Sequence, residues 1–169
     1  MSPEVPFRFS DRAHTIRELS RRLLDDHGLT TWEFGFNSNV RRAGVCFYPT
    51  RTEAGRIELS IHFAERNTDE EVRDTLLHEL AHALVGPGHG HDEVWRAKCQ
   101  QIGARPDACY GEEVDMPRGR WQAKCAACTA VYNRHRRPGN TEGWHCRPCG
   151  PQRGRLQWRD GRECEDLPT

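Results

Sequence analysis

No stretch of the 169-residue chain approaches the roughly 18 apolar residues that a membrane-spanning helix needs, so no membrane partner is expected. The first twenty residues lack the apolar core of a secretory signal and carry Glu4, Arg8, Asp11, Arg12, Arg17 and Glu18 instead. A reducing, cytoplasmic compartment is the expected setting. Apolar side chains are also scarce, at 36% against 30% charged, so a small core helped by metal is anticipated. The length suits one compact domain with an appendage. There is no net charge and no internal repeat, yet the two halves differ. Up to Met116 there are 14 Lys and Arg against 20 Asp and Glu; from Pro117 onward there are 11 against 5. A basic segment beside an acidic one suggests an anionic partner such as nucleic acid. Charge alone does not separate that from a solvated surface rich in arginine.

The chain does contain eight cysteines. Cys46, Cys99, Cys109 and Cys164 are scattered, but Cys125-Ala-Ala-Cys128 and Cys146-Arg-Pro-Cys149 form two pairs separated by seventeen residues. In a reducing compartment that spacing predicts two zinc knuckles facing each other, a closed tetrahedral site that stabilises rather than catalyses. Apparent zinc binding of ~10–16 kcal/mol can hold a segment with almost no core. Val131-Tyr132 and Gly143-Trp144 read as short strands between the knuckles.

Earlier in the chain, Ile16, Leu19, Leu23 and Leu24 recur at helical spacing after a candidate cap at Ser10 or Asp11, and His27-Gly28 ends the run. Trp32, Phe34 and Phe36 alternate as a strand should. Val45 to Tyr48 reads as a second strand, and Ile57, Leu59 and Ile61 as a third. Three short strands in succession predict an antiparallel meander. Thr68-Asp69-Glu70-Glu71 is a capping box, predicting a helix with Val72, Leu76, Leu77, Leu80, Ala81 and Leu84 inward, stopping at Gly86-Pro87-Gly88. Another helix is expected from about Asp92 to Ile102. Met116-Pro117-Arg118-Gly119 reads as the linker, giving residues 1–116, a ribbon at 117–160 and an acidic tail at 161–169.

Inside the capped helix lies His78-Glu79-Leu80-Ala81-His82. Residues four apart share a helix face, so both imidazoles can reach one metal. Glu79 is offset by about 100° and can take a proton from a metal-held water without being a ligand. In this composition roughly 0.04 such matches are expected by chance. A third ligand is needed, and Gly86-Pro87-Gly88-His89-Gly90-His91 turns the chain back at once. His89 and His91 both qualify, with Asp92 and Glu93 as oxygen alternatives; spacing does not choose. The metzincin positions for Gly and the third His hold Val85 and Gly88, which excludes that pattern.

In the ribbon, Arg134, His135, Arg136 and Arg137 lie between the cysteine pairs, with Arg147, Arg153, Arg155 and Arg159 following. Trp121, Tyr132, Trp144 and Trp158 interleave with them. Arginine for phosphates and aromatics for stacking is how single strands are held, so Arg134, Arg136, Arg137, Arg147 and Trp144 are candidate nucleic-acid residues. Packing of Tyr132 and Trp144 within the ribbon is the competing reading.

Taken together, these features resemble the SprT-like zinc metallopeptidases, a family that includes Spartan. The resemblance runs through Leu23-Leu24, His27-Gly28-Leu29, Trp32-x-Phe34-Gly35-Phe36, Arg42-Ala43-Gly44-x-Cys46 and Ile57-x-Leu59-Ser60. It continues through Leu76-Leu77-His78-Glu79-Leu80-Ala81-His82-Ala83, Gly90-His91-x-x-x-Trp95 and the ribbon cysteines with Tyr132, Arg136 and Arg137. It implies a minigluzincin-like, zincin-type α+β domain with a three-stranded antiparallel sheet, followed by a four-cysteine ribbon. It further implies that His78, His82 and His91 hold a catalytic zinc and that Glu79 is the general base. His91 is favoured over His89 because the family's third histidine stands four residues before an aromatic, here Trp95. Two zinc ions per chain are therefore expected, one catalytic and one structural. Spartan-type members degrade proteins crosslinked to DNA and are stimulated by single strands. The expected partners are a protein substrate and single-stranded DNA, with the chain acting as a monomer. A nucleic-acid-binding accessory protein with little proteolytic activity is the alternative.

Overall fold

The structure is a computed structural model that describes residues 9–108 and 114–161. Cys109, Tyr110, Cys164 and the expected acidic tail from residue 162 lie outside those residues. The chain divides into two compact units, Met1–Met116 and Pro117–Thr169. Both are built around three-stranded sheets, and the first adds helices, so the protein is of mixed α+β type. Among the described residues no helix is long and apolar enough to cross a membrane.

The first unit opens with α1, Phe9–Asp26. Ser10 and Asp11 sit within its first turn rather than capping it, and Asp11 there complements the helix dipole. Ile16 and Leu24 are buried, with Leu19 and Leu23 packed beside them. Strands β1 (Glu33–Asn37), β2 (Gly44–Phe47) and β3 (Arg56–Ser60) follow. Their order is β1-β3-β2, with β1 parallel to β3 and β2 antiparallel to it. The expected antiparallel meander is thereby corrected to a mixed sheet. Side-chain alternation shows that a strand has a buried face but says nothing about its neighbour. The centre goes to β3, whose Ile57, Leu59 and Ser60 are all buried.

Ile61 does not continue β3. It begins a short helix, α2 (Ile61–Arg66), which the alternation at Ile57, Leu59 and Ile61 concealed. Ser60 turns the chain: its Oγ accepts from the Phe63 N–H at 3.3 Å as the N-cap. Phe63 and Ala64 then enter the core. At the junction with the next helix, buried Asn67 donates to the Asp115 carbonyl at 2.7 Å and accepts from the Asp115 N–H at 2.8 Å, tying residue 115 to this unit.

Helix α3, Asp69–Val85, starts at a two-way capping box. Thr68 Oγ1 accepts from the Glu71 N–H at 3.2 Å, and Glu71 accepts from the Thr68 N–H at 2.8 Å. Val72, Leu76, Leu77, Leu80 and Ala81 are buried as the periodicity requires, with Leu84 partly so. His78 and Glu79 are buried too, so polar groups sit on the central helix of the unit. Gly86, at φ +88°, stops α3. The turn that follows leads into α4, Glu93–Ile102, capped by Asp92 accepting from the Trp95 N–H at 3.0 Å. Trp95 and Cys99 are fully buried against α3.

The second unit is a small antiparallel sheet in the order β5-β4-β6: β4 is Trp121–Cys125, β5 Val131–Arg134 and β6 Leu156–Asp160. A single turn, α5 (Gly150–Arg153), precedes β6. Tyr132 lies on a strand as expected, but Gly143-Trp144 is a turn: Gly143 has φ +80° and the Trp144 N–H reaches the Thr141 carbonyl at 3.1 Å. The buried cluster is Ala123, Cys125, Cys146 and Leu156. A core this small, two of whose members are thiols, is below what apolar burial alone sustains.

Candidate metal centres and the cleft beside them

His78 and His82 lie one turn apart on α3, and the Gly86-to-His91 turn brings the third imidazole over them. His91 Nε2 stands 3.1 Å from His78 Nε2 and 3.2 Å from His82 Nε2. Two nitrogens each ~2.0–2.1 Å from one centre at near-tetrahedral angles have about this separation. Burial, reinforced by the neighbouring imidazoles, pulls His78 down to about 4, so it is neutral and offers a lone pair at ordinary pH. His82 and His91 are also lowered, first by burial. His82 turns its Nε2 toward His91, which aims that nitrogen into the cluster. Three converging lone pairs with oriented rings fit a borderline-soft cation such as zinc.

His89, the rival third histidine, does something else. Its Nδ1 contacts Asp92 Oδ2 at 2.7 Å while Asp92 Oδ1 caps α4. Asp92 is thereby committed, and its carboxyl is held below the usual range, chiefly by the Trp95 N–H. Beneath the cluster lies Trp95, whose ring centroid is 4.7 Å from that of His78, 5.2 Å from His82 and 4.5 Å from His91. One buried indole contacts all three rings. Sequence reading used Trp95 only as a landmark; its four-residue spacing from His91 was the available signal.

Glu79 lines the same cleft as the imidazoles, packed against β2. It is 7% exposed, and burial pushes its carboxyl up to about 8 despite the opposing Arg42 charge and the Cys46 backbone N–H. The Cys46 thiol is itself pushed up to about 12 by burial and by Glu79, which makes it unreactive. Gly44 faces Glu79 with no Cβ to intrude. Sequence reading did not assign Gly44 or the Cys46 amide to this role. An open cleft of about 740 Å³ joins these parts: Arg41 to Cys46 and Tyr48 on one side, His78, Glu79, His82 and His91 on the floor, and Val114 and Met116 opposite. A larger cavity of about 920 Å³ lies in the second unit beside Trp144 and Trp158. It holds no converging ligand set, so volume alone does not mark the chemistry.

In the second unit the sulfurs of Cys125, Cys128, Cys146 and Cys149 all lie within 4.8 Å of one another, with Cys128 and Cys146 at 3.7 Å. Sulfurs ~2.3 Å from one tetrahedral centre have that separation. The Ala127 N–H donates to Cys125 Sγ at 3.3 Å, and the Tyr132 hydroxyl draws the Cys146 thiol down to about 6. Hydrogen bonding to Cys128 pushes the Cys149 thiol up, so the proton is drawn from one sulfur of the cluster and held on another. Donors aimed at sulfur favour thiolates, the form that holds metal. Tyr132 therefore serves the cysteines. Trp144 instead packs on Trp158 edge to face at 5.6 Å, with the Arg134 guanidinium 4.3 Å above it. Arg137 lies over Trp121 at 5.3 Å. Arg136 and Arg147 are exposed and lie in none of these ring contacts.

Fold and sites define an α+β protein with, among the described residues, two groups able to hold a metal, histidines around a central helix and cysteines across a small sheet. The SprT-like family model matches residues 11–115. The chain is 30% identical over 140 residues to Protein SprT-like of Anoxybacillus flavithermus, covering 76% of this chain and 89% of that protein. It is 31% identical over 106 residues to Germ cell nuclear acidic protein of Drosophila melanogaster, covering 56% of this chain but only 10% of that protein. The chain belongs to the SprT-like family. Membership suggests a zinc-metallopeptidase-like domain.

Proposed function

We propose that the first unit is a zincin-type, zinc-dependent peptidase and that the ribbon holds a second, structural zinc. The observation that carries the reading is the convergence of three Nε2 atoms at 3.1 and 3.2 Å beside a buried Glu79. His78, His82 and His91 would hold the catalytic ion. Zinc there supplies Lewis acidity and lowers the pKa of a water toward ~7. Glu79 is the proton carrier: it takes the proton of the attacking water and delivers it to the leaving nitrogen. Its position against Gly44 and the Cys46 N–H holds the carboxylate in one orientation. Strand β2 is an edge strand lining the cleft, so an extended peptide can add to it through backbone hydrogen bonds.

The protein substrate is proposed to be DNA-bound or DNA-crosslinked, with the ribbon engaging a single strand. Arg134 over Trp144, and Trp144 against Trp158, supply charge beside an aromatic face, which supports this reading. The accessory-protein alternative shares that support. The deciding test compares zinc-loaded wild type with Glu79→Gln on a DNA-binding protein, with and without single-stranded DNA. Cleavage lost in Glu79→Gln and dependent on DNA is expected. Cleavage that needs Glu79 but ignores DNA removes the nucleic-acid role, and none in either protein leaves the accessory reading.

A further inference from the structure

Arg41 and Arg42 stand at the lip of the cleft, at the entrance to β2, and are exposed. Neither makes an ion pair among the described residues; Arg42 acts on Glu79 only through its field. This is unusual in a unit whose formal charge is negative, where carboxylates are abundant. The backbone beneath them is pinned. Asn39 Oδ1 accepts from the N–H of Arg41 at 2.8 Å and of Arg42 at 3.1 Å. Asn39's own N–H donates to Asn37 Oδ1 at 2.9 Å, and its carbonyl accepts from Ser60 Oγ at 2.5 Å. The Ser60 N–H then closes on the Ala43 carbonyl at 2.7 Å. A loop tied to edge strand β1 through Asn37 and to central strand β3 through Ser60 presents two guanidinium groups to the cleft. The neighbouring wall, Ala43 to Cys46 and Tyr48, carries no charge.

We propose that Arg41 and Arg42 form a carboxylate subsite that sets which peptides the cleft accepts, an inference resting on the peptidase reading. Guanidinium groups take carboxylates in paired hydrogen bonds, and among the described residues the cleft lining supplies no competing carboxylate except buried Glu79. The carboxylate comes from an acidic side chain of the substrate or from its C-terminus. Either would meet the arginines while the backbone lies along β2.

The test uses the full zinc-loaded chain and a neutral fluorogenic peptide in which one Asp is walked through every position. Each peptide has an Asn counterpart, and each is made with free and amidated C-termini. Asp is expected to exceed Asn in kcat/KM at one position by roughly two- to fivefold, as for partly exposed charge pairs. If the C-terminus is the source, the free acid exceeds the amide instead. The preference should vanish in the Arg41→Ala/Arg42→Ala double variant and invert toward Asn in Arg42→Glu. Arg42 also acts on Glu79, so absolute rates change in these variants; the ratio between paired peptides is the diagnostic. Cleavage with the same ratio in wild type and double variant overturns the subsite and leaves the peptidase standing. Binding of the same peptides to zinc-loaded Glu79→Gln, read by fluorescence anisotropy, decides the subsite without turnover. Arginine-dependent preference there, with no cleavage by wild type, keeps the subsite and discards the peptidase. Arginine-dependent competition by a DNA oligonucleotide without any carboxylate preference overturns the proposal in favour of phosphate.

Discussion

The Cβ that Gly44 lacks would stand 2.8 Å from both Cγ and Oε1 of Glu79. Side-chain atoms do not approach so closely, so even a methyl group at position 44 must move the glutamate. Gly44→Ala is expected to lower kcat/KM more than tenfold while both metal sites still fill, because a small misplacement of a catalytic group is costly. Gly88→Ala meets open space and should fold and turn over as wild type does. Equal activity in the two variants would remove Gly44 from the account.

Metal content should separate the two centres. Wild type is expected to carry two zinc ions by elemental analysis, His82→Ala one and Cys146→Ser one. Because the cysteine cluster belongs to a unit with a very small core, Cys146→Ser should also expose the second unit to proteolysis. A His82→Ala protein that still holds two ions would show that the imidazoles are not ligands.

Trp95 links packing to the site, since its buried ring touches all three imidazoles. Trp95→Ala is expected to cost about 3–5 kcal/mol in urea unfolding. It should also weaken zinc at the histidines by roughly 10–100-fold, as other supporting contacts do. Trp95→Phe, which keeps an aromatic floor, should recover most of both losses. Separation of the two effects, with full metal affinity in Trp95→Ala, would reduce Trp95 to a core residue.

Burial of Glu79 makes a prediction for the metal-free protein. Its carboxyl is raised to about 8 in the folded state, against about 4.3 when exposed. Between those values the folded state binds more protons than the unfolded one, so this group's contribution falls as pH rises. The effect should reach a few kcal/mol, on the order expected for a shift of this size. His78, lowered to about 4, acts oppositely and only between about 4 and 6.5. Comparing wild type with Glu79→Gln cancels the histidine part. The urea midpoint of metal-free Glu79→Gln should gain on wild type steadily from pH 5 to 8, and parallel curves would contradict the burial argument.

Single-strand binding, if it uses the ribbon, should weaken by about 1–3 kcal/mol in Trp144→Ala through lost stacking. Arg134→Ala should instead reduce the salt dependence, lowering the slope of log K against log salt by about 0.7. Unchanged affinity in both variants would assign the Trp144–Trp158 contact to packing alone.

The legible parts of this protein were those decided over a few residues. The capping box at Thr68 and Glu71, the periodicity that buries Leu76, Leu77 and Leu80, and the four-residue offset of His78 and His82 are all local to α3. Likewise each cysteine pair is a local turn. Where two local signals coincided, the reading failed: Ile61 satisfied strand alternation, yet Ser60 capped a helix there. Strands β4 and β6 went unnoticed because their alternation is short and their outward residues, such as Lys124 and Arg159, are charged.

The amino-acid sequence by itself determined the central helix, the histidine pair with Glu79 between them, the paired cysteine knuckles and the family resemblance, since each depends on bonds and torsions within a few residues. Tertiary structure alone decided that β1 runs parallel to β3. It brought His91 rather than His89 to the imidazole cluster, a choice that spacing left open and the family resemblance favoured, while Asp92 engages the other. It also decided that Gly44 and Arg42 lie beside Glu79. Those outcomes turn on which distant surfaces bury together, and the free energy of that choice is spread over the whole core rather than written at any one position.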